Sequence, residues 1–198
     1  IVRDFPDTIV PAPDETEANV DQYFAESWKD YGTVDGEFYA APLGANMKSF
    51  VWYNPNVFAE KGYTVPATWD EMLALTDQIA TDYPDSKPWC AGIESGDATG
   101  WPATDWIEDV VLRASGPEVY DQWVAHEIPF NDPAIKSAFD VADDILRDEA
   151  RVNGGFGNVA TIAITPWTDG GLPILPAGDD DPQCFLHRAA NFYQNNWP

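Results

Sequence analysis

Residues 47–71 read MKSFVWYNPNVFAEKGYTVPATWDE, and they carry the clearest structural signals of the chain. The first seven, 47–53, are rich in aromatic side chains and others that favour strands, and an Asn-Pro pair follows them. We therefore predict a strand that stops at this pair. A short helix is predicted over 56–61 because a glycine follows it. Thr68 and Glu71 have the spacing of a capping box, which predicts the start of a longer helix.

Outward from this stretch, the chain predicts more helices than strands. Buried strands are expected at 89–93 and from residue 184 towards residue 192, and helices at 14–31, 102–113, 118–126 and 132–147. An Asp-Gly turn at 35–36 is expected between two extended segments. Strands and helices do not alternate regularly, and a complete doubly wound sheet needs more strands than this. We expect part of a larger α/β protein and, because residue 1 is not Met, a mature form or an excised piece.

The charge is strongly one-sided. The chain has 34 acidic and 10 basic side chains and a formal net charge of −24, which repels nucleic acids and anionic membrane surfaces. No apolar run is long enough to span a membrane. Acidic clusters such as 179–181 fit an ordinary solvated surface, and they equally fit a halophilic-like adaptation in which salt screens the repulsion. The charge leaves both interpretations open.

Two cysteines, Cys90 and Cys184, lack the spacing of a metal site, and no metal or other cofactor is expected. They could form one disulfide or remain as two buried thiols. A bridge over a loop of this length would stabilise the fold by roughly 4–5 kcal/mol and would indicate an oxidising compartment. Their number and spacing leave both alternatives open.

The stretch 100–109, GWPATDWIED, is the densest concentration of functional side chains. A glycoside hydrolase could pair Asp105 with Glu94 or Glu108, but its carboxyl groups must flank the scissile bond, which side chains on one helix face do not do. A sugar-binding site fits better, because a sugar ring stacks on Trp and its hydroxyls bond to Asp and Thr. The alternative without a ligand is a purely structural one, in which the two tryptophans belong to the core and the acidic residues to a first helical turn.

Several long strings resemble one family. KSFVWYN at 48–54, followed by PATWDE at 66–71, is similar to the middle of the sugar-binding proteins of bacterial ABC importers (solute-binding protein family 1). The α-glucoside-type subgroup of that family is resembled by PWCAGIESG at 88–96, by the stretch 100–109, by HEIPFNDP at 126–133 and by PQCFLH at 182–187. Together these strings extend over most of the chain.

The resemblance implies an α/β fold of the type II periplasmic-binding-protein kind, in which two lobes close on a sugar. Residues 1–38 would be a remnant of the first lobe with a leading segment, 39–54 the hinge crossing, and 55–198 the second lobe with one wall of the sugar cleft. Such a receptor is extracytoplasmic, in the periplasm or on the cell surface, with or without a lipid anchor. It would act as a monomer without catalysis and would deliver its carbohydrate ligand to the membrane permease of an ABC importer.

The resemblance also implies site residues. Trp101 is expected to stack on the sugar, with Asp105, Thr104 and Asn46 as partners for its hydroxyls. The full set of expected ligand-binding residues is Asn46, Lys48, Glu94, Trp101, Thr104, Asp105 and His187. Both cysteines occur at these positions in the subgroup, which implies the disulfide Cys90–Cys184. The alternatives that remain are a glycoside hydrolase and a fragment with only a structural role.

Overall fold

A computed structural model describes residues 1–5, 7–154 and 159–198. The chain divides into two compact units, Ile1–Asn46 and Met47–Pro198. In the part of the chain that is described, no helix is long and apolar enough to cross a membrane. The candidate site lies in the second unit.

The first unit contains two short helices and a hairpin. Helix α1 spans Asp14–Tyr23, α2 Glu26–Tyr31, strand β1 Thr33–Val34 and β2 Glu37–Phe38. The hairpin turns at Asp35 and Gly36, whose φ angles of 54° and 88° are the left-handed values that a tight two-residue turn requires. The single helix predicted over 14–31 is wrong in one respect, since the backbone is extended at Phe24 and divides it. Across this break, Lys29 Nζ lies 2.7–2.8 Å from carboxylate oxygens of α1.

The second unit holds five α-helices and four strands among its described residues. The helices are α3 Pro55–Lys61, α4 Trp69–Asp82, α5 Trp101–Ser115, α6 Pro117–Val124 and α7 Pro133–Leu146. Short 3-10 helices lie at Gly96–Ala98, Val159–Ala163, Leu172–Ile174 and Asn191–Asn196. The helices predicted at 56–61, 102–113, 118–126 and 132–147 are therefore present, with ends that differ by at most two residues. The capping box of α4 is confirmed, because Glu71 N donates to Thr68 Oγ1 and Thr68 N to Glu71 Oε2.

The strands form one mixed sheet. They are β3 Phe50–Tyr53, β4 Lys87–Cys90, β5 Val152–Asn153 and β6 Cys184–Ala189, in the spatial order β3-β6-β4-β5. β6, β4 and β5 run parallel, and β3 pairs antiparallel with β6. The predicted boundaries of two strands are wrong, and β4 already begins at Lys87 rather than residue 89. β3 starts at Phe50 rather than residue 47, because Ser49 has a φ of 71°, which no strand tolerates. β4 ends at Cys90 rather than residue 93.

The core lies between this sheet and the helices. Its fully buried side chains come from α4, α5, α7 and the strands, and they include Ile79, Val111, Ile135, Ile145, Trp89, Val152 and Phe185. The one polar atom of Trp89 is satisfied inside the core, where Nε1 donates to Thr76 Oγ1 at 3.0 Å. The expected disulfide is confirmed: Cys90 at the end of β4 is bonded to Cys184 at the start of β6, with Cα atoms 5.5 Å apart. The sheet is therefore fixed both by packing and by a covalent bond.

Candidate binding site at the carboxyl edge of the sheet

Three loops meet at one edge of the sheet. The parallel strands β4 and β6 end there at Cys90 and Ala189, and the antiparallel β3 begins there at Phe50, which pairs with Ala189. In open α/β sheets, ligands bind beyond the carboxyl ends of the parallel strands. The loop before β3, the loop after β4 and the segment after β6 all meet at this carboxyl edge.

An ion pair joins two of these segments. Lys48, just before β3, places Nζ 2.7 Å from Oδ2 of Asp105 in the second turn of α5. The Lys48 side chain is 45% exposed and that of Asp105 15%, so the pair faces solvent without being fully surrounded by it. An ammonium and a carboxylate together offer donors and acceptors of the kind that sugar hydroxyls need.

Three aromatic rings form a cluster beside Lys48, and two of them lie close to its ammonium. The ring centroid of Trp101 lies 5.3 Å from that of Trp167 and 5.9 Å from that of Phe192, and the last two are 5.6 Å apart. Lys48 Nζ is 5.1 Å from the centroid of Trp101 and 5.4 Å from that of Phe192, within the range of a cation–π contact. All three rings are only half-buried. They form an aromatic wall with surface left for a ligand.

The backbone holds Trp167 against the loop that follows β4. Trp167 N donates to Glu94 O at 2.9 Å, and Glu94 N donates to Thr165 O at 3.0 Å. Gly92 allows this close approach, because a Cβ there would lie 2.7 Å from Pro166 O. A residue that lies far along the sequence from Trp101 is thereby fixed beside it.

His187 lies beneath the aromatic wall rather than on it. The residue is only 4% exposed, and its Nδ1 is 3.0 Å from Cys90 O. Burial lowers the pKa of His187 to about 4, so the ring is neutral near pH 7. Its Nε2 has no hydrogen-bond partner among the residues that the structure describes. The His187 side chain borders a cavity of about 20 Å³, enough for one water molecule, which Trp101, Trp167 and Tyr193 also line.

Tyr193 supports the same region from below. Its ring is fully buried, 4.4 Å from the ring of His187 between centroids. Its hydroxyl accepts from Gly171 N at 2.7 Å and donates to Thr168 O at 2.8 Å. Burial raises the pKa of Tyr193 to about 12, which keeps the hydroxyl protonated. Trp167 of the aromatic wall therefore packs against buried, uncharged side chains.

Only some of the predicted site residues come together in the structure. Lys48, Trp101 and Asp105 come together in one cluster. Glu94 lies in the adjoining loop, where its Oε1 accepts from Gly96 N at 2.6 Å. Thr104 is exposed on α5, with its hydroxyl turned back to Gly100 O at 3.4 Å. Asn46 is exposed and is the last residue of the first unit.

Sequence reasoning missed Trp167, Phe192 and Arg188. Phe192 follows directly from the end of β6, so the rule on strand ends could have indicated it. Trp167 had no such signal, because its place depends on backbone contacts between distant loops. Arg188, nearly buried behind Asp105, stands within a strand and carried no motif of its own.

Asp105 and Glu108 lack the arrangement of a glycosidase pair. Asp105 and Glu108 project from the same helix, and Asp105 is bound by Lys48. Burial raises the pKa of Glu108, and the nearby Asp105 charge raises it further. Among the described residues no group of three or more His, Cys, Asp or Glu could hold a metal ion. A glycosidase needs carboxyl groups on both sides of the scissile bond, which two side chains of one helix do not provide.

Sequence comparisons agree on one kind of protein. Residues 4–193 match the family described as bacterial extracellular solute-binding protein. The osmoprotective compounds-binding protein GgtB of Synechocystis is 44% identical over 177 residues, covering 89% of this chain and 40% of the relative. The alpha-glucosides-binding periplasmic protein AglE of Rhizobium meliloti is 42% identical over 197 residues, covering 96% and 41%. The chain therefore spans about 40% of the length of these relatives.

Solved structures share the fold at lower identity. The bacterial solute receptor AcbH, described as preferring β-D-galactopyranose, superposes with a TM-score of 0.67 at 24% identity, over 100% of this chain and 45% of that one. A chitin oligosaccharide binding protein gives 0.70 at 20% identity, over 94% and 42%. These similarities confirm the predicted type II fold, and none of the matches supports the hydrolase alternative.

Proposed function

Because the chain belongs to the bacterial extracellular solute-binding proteins, we propose that its carboxyl-edge cluster is the sugar-contacting wall of an ABC-import receptor. The family acts outside the cytoplasm, and the Cys90–Cys184 disulfide is of a kind that persists in oxidising compartments. The receptor binds its carbohydrate without transforming it and delivers it to a membrane permease. It works as a monomer.

The observation that carries this proposal is the aromatic wall around an ion pair. A sugar ring presents C–H faces that stack on indole and a rim of hydroxyls. Trp101 supplies the stacking surface, and Lys48 and Asp105 lie at its border as donor and acceptor. Trp167 and Phe192 limit the width of the site. Thr104 and Glu94 are further proposed partners for the sugar hydroxyls.

The ligand class we propose is an α-glucoside. Two features support it: the 42% identity to AglE, whose name states alpha-glucosides, and the strings in which this chain resembles that subgroup. GgtB, at similar identity, is named for osmoprotective compounds, so the panel of test ligands must include small polar osmolytes.

We also propose the domain arrangement implied by the family. Residues 1–38 belong to the first lobe, 39–54 cross between lobes, and 55–198 form most of the second lobe. In this arrangement Asn46 is a ligand-binding residue of the hinge crossing. His187 supports the site indirectly, because its buried ring packs on Tyr193 and Tyr193 in turn contacts Trp167.

A ligand screen tests the proposal. Thermal unfolding is measured with maltose, trehalose, sucrose, galactose and glycine betaine, on this chain and on any longer natural form that contains it. A ligand present at a hundred times its Kd should add about 2.7 kcal/mol to stability. We expect the α-glucosides to raise the midpoint and galactose and glycine betaine to leave it unchanged.

Two variants connect any response to the site. Trp101→Ala should abolish the ligand-induced shift, because it removes the stacking surface. Trp69→Ala is the matched control, since Trp69 is 40% exposed at the start of α4, outside the aromatic wall. An equal loss in both variants, or no response to any α-glucoside, would contradict the proposal. Sustained hydrolysis of an aryl glycoside that stops in Asp105→Asn would replace it with an enzyme.

A further inference from the structure

Arg188 is the most enclosed cation of the site region. Its side chain is 5% exposed, and its guanidinium carbon lies 5.2 Å from the ring centroid of Trp106. One terminal nitrogen, Nη2, donates to Asp105 O at 2.6 Å and to Ser49 Oγ at 3.3 Å. The same nitrogen is 3.4 Å from Asp109 Oδ2. A single guanidinium thus bridges β6, α5 and the residue before β3.

Its two neutral contacts adjoin the two members of the surface ion pair. Asp105 O belongs to the residue whose carboxylate binds Lys48, and Ser49 directly follows Lys48. Ser49 has a φ of 71°, a left-handed conformation that persists only where surrounding contacts fix it. On the other side of Lys48, Met47 N donates to Asn191 Oδ1 and Met47 O accepts from Asn191 N. Lys48 is therefore held between two anchored neighbours.

We propose that Arg188 is a positioning residue for ligand recognition, which sets the Lys48–Asp105 pair in register with Trp101 without touching the ligand. The role in recognition rests on the proposed function, whereas the positioning of Lys48 does not. The inference follows from the three contacts of one buried nitrogen, two of which end on the backbone or hydroxyl groups that orient the pair.

The charge of Arg188 has a local partner. Burial lowers the pKa of its guanidinium, and Asp109 and Asp105 act against that change. Asp109 is shared, because its Oδ1 also accepts from Arg113 Nε at 2.8 Å. Arg113 is 71% exposed and has no described contact to Ser49 or to Asp105. Substitution of Arg113 is therefore a matched control, because it removes a partner of Asp109 and leaves the contacts of Lys48 unchanged.

The first test needs no ligand. The rate at which N-hydroxysuccinimidyl acetate acylates Lys48 is measured by mass spectrometry, with the exposed Lys136 as internal reference. We expect Arg188→Met to raise the Lys48 rate at least threefold relative to Lys136, because the ammonium is no longer held against Asp105. Arg113→Met should leave the ratio unchanged. An unchanged ratio in Arg188→Met overturns the inference, and so does an equal rise in Arg113→Met.

Arg188→Met could fail to fold, so a milder variant accompanies it. Ser49→Ala keeps the backbone and Cβ and removes only the hydroxyl that Arg188 contacts. We expect the Lys48 rate to rise in this variant while the thermal midpoint stays close to that of the wild type. A Lys48 rate equal to that of the wild type in a folded Ser49→Ala variant overturns the positioning role.

The second test measures affinity for maltose in a double-mutant cycle. Lys48→Met and Arg188→Met should each weaken binding about tenfold, and the pair together should lose little more than either alone, because Arg188 acts through Lys48. A merely structural Arg188 predicts losses that multiply, and this outcome overturns the role in recognition. If the wild type binds no sugar while Lys48 acylation responds as expected, the proposed function fails and the positioning of Lys48 stands.

Discussion

Lys48 and Lys61 have similar immediate neighbours in two different regions of the second unit. Each ammonium lies 2.7 Å from an aspartate oxygen, of Asp105 and Asp181 respectively. Each also lies 5.1 Å from an aromatic centroid, that of Trp101 and that of Tyr83. The side chain of Lys48 is 45% exposed, however, and that of Lys61 only 18%.

The rings explain the difference. Tyr83 is itself half-buried, but it packs on Tyr63 and Phe185, which are 8% and 2% exposed, so core side chains cover one side of the ring near Lys61. The rings near Lys48 are all half-buried, and they stand where parallel strands end. A lysine–aspartate pair on an aromatic ring is thus a common stabilising arrangement. Under the proposed function, the pair at Lys48 also takes part in recognition, because the ring faces beside it are left uncovered.

The largest expected effect comes from the disulfide, which links the end of β4 to the start of β6. A Cys90→Ala/Cys184→Ala variant should lose roughly 4–5 kcal/mol of unfolding free energy, because the bond closes a long loop in the unfolded chain. Urea denaturation measures the loss, and reduction of the wild type should reproduce it. Hydrogen exchange should rise more at residues 91–95 than at 55–61. Equal increases would remove the distinction between the two regions.

The next largest effect is a dependence on pH that His187 gives to the carboxyl edge. Burial lowers its pKa to about 4, whereas an unfolded histidine titrates near 6.5. Between these values the unfolded state binds more protons, so stability falls as pH decreases from about 6.5 to about 4. The total loss from this residue is about 3 kcal/mol.

Two variants isolate the contribution of His187. His187→Gln should flatten the difference in unfolding free energy between pH 7 and pH 4.5 relative to the wild type. His126→Asn is the control, because His126 is exposed and its φ of 59° is one that asparagine adopts readily. If the two variants show the same dependence on pH, the buried histidine does not carry it.

The two lysines are compared directly by Lys48→Met and Lys61→Met, which remove one charge each at nearly constant length. Lys48→Met should weaken maltose binding about tenfold, equivalent to about 1.4 kcal/mol, because a hydroxyl partner is lost. Lys61→Met should leave the affinity unchanged. Isothermal titration calorimetry measures both. Equal losses would mean that the effect reflects the net charge of the chain rather than the position of Lys48.

Local signals predicted much of the region around Lys61 and α4. The glycine after α3 and the Thr68–Glu71 capping box are interactions between near neighbours in sequence, so their pattern is visible in a single chain. The fold class and the disulfide were predicted by resemblance to the family, and both are confirmed. Cysteine spacing alone had left the disulfide undecided.

The carboxyl-edge site was only partly predictable. Trp101, Asp105 and Lys48 stood in recognisable strings, but the rings that complete the wall did not. Trp167 reaches Trp101 through backbone pairing between the loop after β4 and residues 165–167, which has no periodic signature. The left-handed Ser49, which makes β3 start at Phe50 rather than residue 47, also has a distant contact from Arg188. Sequence periodicity indicates which residues of one helix or strand share a face. It does not indicate contacts between segments that are distant in sequence.

Salt is expected to have the smallest effect, and it acts on both lysine pairs at once. Both are partly exposed, so screening weakens each. The chain also carries a net charge of −24, and screening this self-repulsion stabilises the folded state. We expect the second effect to prevail and the thermal midpoint to rise by roughly 2–4 °C from low to molar NaCl, which corresponds to about 1 kcal/mol at this chain length. The rise should be the same in Lys48→Met and Lys61→Met. A flat midpoint would count against adaptation to high salt, and a fall would mean that ion pairs outweigh the general repulsion.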